Sequence, residues 1–215
     1  MVRVISTKNS HLYVFAYMTY SKILRDHAAL EVRRRKSETS LSEIRQRFSK
    51  TSFFKTKPVS VFTAGSFGRR DTGKNSDLDL FVISEHADKE RSRLSDLEIL
   101  AKLIEINREL KYPPFSNDGQ FLKVYSIADM KGKTGDPRDD SENLFTARLL
   151  FLLESAPLCN YDLYNKHLKE IAGHYFRDYP AHKSFRPLFL LNDILRYWRT
   201  LCLNYERIRN DPGRP

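Results

Sequence analysis

The sequence predicts an α+β fold: a small mixed sheet backed by helices, with helical extensions before and after it. Three observations carry that expectation. Two short runs rich in β-forming residues, 59–64 and 78–83, are bounded by glycine, proline and aspartate. A stretch with helical spacing, 92–110, separates them from a third such run at 121–126. Helical periodicity then occupies both flanks, over 9–49 and from about Asp140 onward.

The chain of 215 residues suffices for one domain with a buried core. Hydrophobic residues make up 40% and charged residues 30%, which excludes a disordered or collagen-like chain. The longest apolar run, 149–153, stops at Glu154, far short of the ~18 residues of a membrane span. Cys159 and Cys202 are too few for a disulfide scaffold or a thiolate zinc site, which points to a reducing compartment. Arg3 and Lys8 begin like a signal peptide, but Ser10, His11 and Lys22 interrupt its apolar core. A cytoplasmic protein without a membrane partner is expected. The net charge of +10 suits polyanionic partners. Much of it lies in Arg33-Arg34-Arg35-Lys36 and the scatter over 45–57, which read equally well as solvated helix faces.

In chain order, Tyr13, Tyr17, Tyr20, Leu24 and Ala28 share one face of a first helix. A second helix is expected after Ser40, with Glu43 completing a capping box. The first strand follows Pro58 and ends at Gly65. In the helix over 92–110, Leu97, Leu100, Leu103, Ile104, Ile106 and Leu110 form the expected buried side. Pro113-Pro114 and Asn117-Asp118-Gly119 turn the chain into the third strand. In the last helix Leu191, Leu195, Trp198, Cys202 and Tyr205 form a stripe, with Trp198 and Cys202 expected in the core. Asn192, Arg196, Arg199 and Glu206 lie opposite. Asn210, Pro212, Gly213 and Pro215 cannot continue that helix, and the abrupt ending suggests a longer parent chain. The expected division is a helical extension at 1–50, a core at 51–135 and a helical region at 136–215.

Chemistry concentrates between Ala64 and Leu80. The strand ends at Gly65, where a residue without Cβ lets the backbone approach a ligand. Ser66 suits the cap of a following helix, whose free amides favour a phosphate chain. Arg69, one turn in, can add charge-assisted hydrogen bonds to phosphate oxygens. Ser76-Asp77-Leu78-Asp79 then opens the second strand, and residues i and i+2 of a strand share a face. Two carboxylates that close repel unless a cation lies between them, and hard oxygen donors beside phosphates select Mg²⁺ or Mn²⁺. Each feature alone is commonplace; their conjunction within 59–80 is not. The six histidines, His11, His27, His86, His167, His174 and His182, form no metal or phosphohydrolase pattern. His167 and His174 read as surface or core residues.

This stretch resembles the signature of the polymerase-beta-like nucleotidyltransferase superfamily, a Gly-Ser turn followed by Asp-x-Asp. Gly65-x-x-Gly68-Arg69 with Ser76-Asp77-Leu78-Asp79 is most similar to the uridylyltransferases that modify nitrogen-signalling proteins. The likeness is strongest over 60–83. It extends loosely through Leu122-Lys123-Val124 and Thr146-Ala147-Arg148-Leu149-Leu150. The resemblance implies a minimal nucleotidyltransferase core and metal-dependent transfer of a nucleoside monophosphate from a nucleoside triphosphate, releasing pyrophosphate. It makes Asp77 and Asp79 the catalytic metal ligands and Gly65 and Ser66 the phosphate turn. It makes Arg69 a phosphate contact and groups Ser76 with the nucleotide-binding residues. Lys123 stands where many members carry a third carboxylate, leaving Asp118 or Asp129 as substitutes. The acceptor is open: a protein hydroxyl, an RNA end or a small molecule. The alternative is a catalytically weak nucleotide-binding regulatory module, such as half of a toxin–antitoxin or defence pair.

Overall fold

A computed structural model describes residues 26–179, 181–182 and 184–210. The tyrosine stripe at Tyr13, Tyr17 and Tyr20 lies outside these residues.

The chain enters through α1 (Ala28–Lys50), which runs unbroken through Ser40, so the expected helix start and capping box there are not formed. The reason is a continuous inward stripe: Ser37, Leu41, Ile44 and Phe48 are all buried at helical spacing. Then follow β1 (Val59–Thr63), α2 (Gly65–Arg69), β2 (Leu80–Ser84), α3 (Arg93–Glu109) and β3 (Val124–Ser126). Next come α4 (Ile127–Gly132), α5 (Pro137–Ser141), α6 (Leu144–Leu153), β4 (Ala156–Cys159), α7 (Tyr161–Tyr175) and α8 (Leu188–Arg209).

The sheet order is β3-β2-β1-β4, with β2 and β3 parallel and the other pairs antiparallel. This is the mixed α+β sheet expected, with one strand more: β4 comes from the C-terminal region, which reads as helical. The third strand is shorter than 121–126, and Phe121 is instead largely exposed. Every residue of β1 and β2 is buried, because both sheet faces are covered. On one face Leu78, Leu80, Val59, Val61 and Val82 pack against α1 and, from α3, Ile99, Leu103 and Ile106. On the other, Phe62, Phe81, Ile83 and Tyr125 meet α4, α6 and α7. Leu97, expected on the inner side of α3, is exposed.

Helix α8 docks on α6 through Tyr197 against Phe145 and Leu149. Its stripe is turned outward: Leu191, Leu195, Trp198, Cys202 and Tyr205 are exposed, which corrects the expected place of Trp198 and Cys202 in the core. Asp193 and Tyr197 are buried instead, because their polar atoms have partners inside. Tyr175 Oη donates to Asp193 Oδ2 at 2.7 Å. It belongs to a network around the fully buried Arg148, which donates to Asp139 at 2.8 and 2.6 Å and to Tyr175 at 2.8 Å. That network ties α5, α6, α7 and α8 into one body, which fixes where Tyr197 stands.

A second buried polar pair sets a pH dependence. Ser60 Oγ on β1 and His167 Nδ1 on α7 are 2.9 Å apart, and neither residue reaches solvent. His167 Nε2 has no partner among the described residues. Burial holds the imidazole down to about 4, against the opposing pull of Glu170 and Glu85, so it is neutral at pH 7. As pH falls, the unfolded chain takes up the proton first, near pH 6.5. Stability is therefore full above that pH and declines toward pH 4, by on the order of 3 kcal/mol from this residue. Urea unfolding across this range should show the decline. In His167→Gln the slope should flatten, whatever that variant's absolute stability.

Candidate functional site

The site forms where β1 hands over to α2 and the chain re-enters the sheet at β2. Ala64 N donates to Asp79 O at 3.0 Å, extending the β1–β2 pairing by one step and clamping the turn to the acidic segment. Gly65 follows with φ +61°, and a Cβ there would lie 2.8 Å from Asp79 Oδ2. A glycine is thus required both by the left-handed backbone and by the carboxylate against it. Ser66 lies in the first turn of α2; its side chain does not cap the helix, whose N-cap is Ala64. Like those of any helix start, the first amides of α2 have no intrahelical acceptor.

Asp77, Leu78 and Asp79 lie just ahead of β2 rather than within it, yet they keep the strand alternation. Leu78 and Leu80 enter the core beneath α1 and α3, so the aspartates flanking Leu78 project to the other side. They feel each other: burial first, and then the negative charge of Asp77, raise Asp79 to about 6, with Arg69 opposing. Half-buried beside a second carboxylate, Asp79 pays a cost to ionise that a cation between the two would offset.

The loop between turn and acidic pair is fixed from α1. Ser37 Oγ, buried, lies 2.7 Å from Thr72 Oγ1 and accepts from Thr72 N at 3.0 Å. Ser76 Oγ accepts from Gly73 N at 2.9 Å, closing the turn that leads into Asp77. Ser76, expected among the nucleotide-binding residues, is thus engaged in shaping the loop.

Arg69 stands beside the pair but is engaged with carboxylates of its own. Its Nε is 3.0 Å from Asp71 Oδ2, and Nη1 donates to Glu154 Oε2. Tyr197 Oη donates to the other oxygen of Glu154 at 3.1 Å. Glu154 has no signal in the sequence, sitting at the end of an apolar helix remote from the motif. Its backbone matters as well, since a Cβ on Gly68 would overlap the Glu154 carbonyl.

Three residues bear on the third-carboxylate position: Lys123, Asp118 and Asp129. Lys123 Nζ donates to Glu142 O and lies 4.8 Å over the Tyr125 ring. Asp118 is exposed in a left-handed turn, and Asp129 faces Lys133 at 3.6 Å. Among the described residues no three His, Cys, Asp or Glu side chains are grouped to hold a metal ion.

The architecture, a four-stranded mixed sheet between helices with the Gly65 turn against Asp79, is consistent with a minimal nucleotidyltransferase core. Residues 41–116 match the family model described as a nucleotidyltransferase domain. The match covers the second half of α1, the turn, the acidic pair and α3, and it supports the nucleotidyltransferase superfamily and nucleotidyl transfer in general. Searches against curated proteins and against solved structures returned no significant match. No helix among the described residues is long and apolar enough to cross a membrane.

Proposed function

We propose that this protein is a metal-dependent nucleotidyltransferase that moves a nucleoside monophosphate from a nucleoside triphosphate to an acceptor hydroxyl. The bond between the acceptor oxygen and the α-phosphorus forms, the α–β anhydride breaks, and pyrophosphate leaves. One observation carries the reading: the Asp79 carboxylate lies against Gly65 of the turn, and burial together with the charge of Asp77 raises it to about 6.

The donor set fits a divalent cation. Magnesium is commonly held by one or two carboxylates with substrate phosphates completing the shell, so two aspartates without a third protein ligand suffice. When bound, Mg²⁺ or Mn²⁺ would screen the pair and offset charge on the phosphates. Gly65 and Ser66 offer backbone amides to the phosphate chain. Arg69 can join once a phosphate oxygen replaces one of its carboxylate partners.

The second reading, a nucleotide-binding regulatory module, is favoured by Lys123 where a carboxylate is usual. A reducing, cytoplasmic setting suits the two free thiols, Cys159 and Cys202. Protein hydroxyls, as for uridylyltransferase-type relatives, and RNA ends are the acceptor classes to try first.

The experiment is incubation with each α-labelled nucleoside triphosphate and Mg²⁺ or Mn²⁺, alone and with total RNA or cell protein. Pyrophosphate release together with a labelled product is expected. Metal-dependent nucleotide binding without release would favour the regulatory module, and no binding would overturn both readings.

A further inference from the structure

Between Glu43 and Asp71 the sequence carries no acidic residue, only cations. The fold divides those cations into two groups. Arg47 and Lys57 pair with Glu109 and Glu98 of α3, and Arg69 and Arg70 pair with Glu154 and Glu38 near the Gly-Ser turn. Arg45, Lys50 and Lys55 have no carboxylate partner among the described residues.

These three gather at one place. Arg45 and Lys55 line an open pocket of about 480 Å³ between the end of α1, the connection to β1 and the start of α7. Lys50 is exposed between Ser49 and Thr51, which line it too. The pocket is remote from the acidic pair. Thr63 at one end of β1 leads to the Gly65 turn, whereas Val59 at the other end, roughly 13 Å along the strand, adjoins the pocket. Asn160 secures the floor, donating to Phe54 O at 2.9 Å and to Val59 O at 2.6 Å.

The lining selects an anion. Arg45 is half-buried, and its Nε donates to Pro157 O at 3.0 Å, which holds the guanidinium while both Nη groups lack a partner among the described residues. No aspartate or glutamate belongs to the described lining. The Cys159 thiol, pushed up to about 12 by burial, adds no negative charge. An arginine fork and a lysine suit a phosphate. Tyr161, 46% exposed in the same lining, adds a ring face that an isolated phosphate would leave unused. Cations beside an aromatic face in an open groove match a strand whose bases are unpaired.

We infer that this pocket binds single-stranded nucleic acid, with Arg45 and Lys55 on a backbone phosphate and a neighbouring base stacked on Tyr161. The site uses neither Asp77 nor Asp79 and stands whether or not transfer occurs.

Fluorescence anisotropy with labelled oligouridylate about 12 nucleotides long tests it, on the full chain in EDTA so that no metal links the strand to the acidic pair. The wild type should bind this strand more tightly than a duplex of equal length, despite the duplex's higher charge. With three cations engaged, log affinity should fall against log salt with a slope of about −2. Lys55→Glu and Tyr161→Ala, both at exposed positions, should each weaken binding about fivefold or more. Lys36→Glu, the same charge change on the exposed start of α1, should leave it within about twofold. Equal losses in Lys36→Glu and Lys55→Glu would show attraction to overall charge and overturn the site. Duplex binding as tight as the single strand, or wild-type affinity in both Lys55→Glu and Tyr161→Ala, would also overturn it. Displacement of the strand by polyglutamate at equal charge would assign the pocket to an acidic protein instead, and absence of binding would remove it altogether.

Discussion

Replacing Asp79 with asparagine is expected to lower nucleotidyl transfer about a thousand-fold, the equivalent of roughly 4 kcal/mol of lost transition-state stabilisation. The fold should not suffer. Asp79 is raised to about 6, so ionising it costs the folded state. That cost is absent at pH below the usual carboxylate range and grows as pH rises through 6. The asparagine variant should therefore melt no lower than wild type at pH 7.5, and its relative stability should improve between pH 5 and pH 7.5. Asp77→Asn should cost activity comparably, and the double variant little more, because the pair acts as one unit. Thermal melts and initial rates on the same preparations check both halves. Most activity surviving in either single variant would remove the pair from the chemistry.

Gly68→Ala should have the largest effect on stability. The added methyl would overlap the Glu154 carbonyl and lie 3.0 Å from Ser155 N. Both obstacles are backbone, between the end of α6 and the start of β4, and cannot rotate away. Relief requires α2 or that connection to move, and the expected loss is on the order of 3 kcal/mol. Gly65→Ala provides the contrast. Its methyl meets the end of the Asp79 side chain, which can yield, although the positive φ still costs about 1 kcal/mol. Urea unfolding should rank Gly68→Ala well below Gly65→Ala. Activity should fall in Gly65→Ala by more than its smaller loss of stability explains, because the carboxylate is displaced.

Those contrasts show what was legible in the sequence. The strand, the glycine turn and the paired aspartates follow from short-range spacing, and residues 64–80 meet across a single β1–β2 pairing. Glu154 was invisible, because only the tertiary path of α6 brings it to Arg69 and Gly68. Periodicity likewise shows which residues share a face but not which face is covered. In α8 the apolar stripe through Trp198 is outside, while Asp193 and Tyr197 are inside with Tyr175 and Glu154 as partners. At Ser40 a local capping signal lost to the longer stripe of Ser37, Leu41, Ile44 and Phe48. The strand β4 is short and contains Pro157, which hides it in a segment otherwise rich in helix signals.

The measurement closest to the central claim is a Mn²⁺ titration followed by electron paramagnetic resonance, with a non-hydrolysable nucleoside triphosphate present. It is made on the wild type, Asp77→Asn and Asp79→Asn. The account predicts saturable binding of manganese by the wild type that strengthens when the nucleotide is added, and its loss in both variants. Equal manganese binding by all three proteins would contradict it.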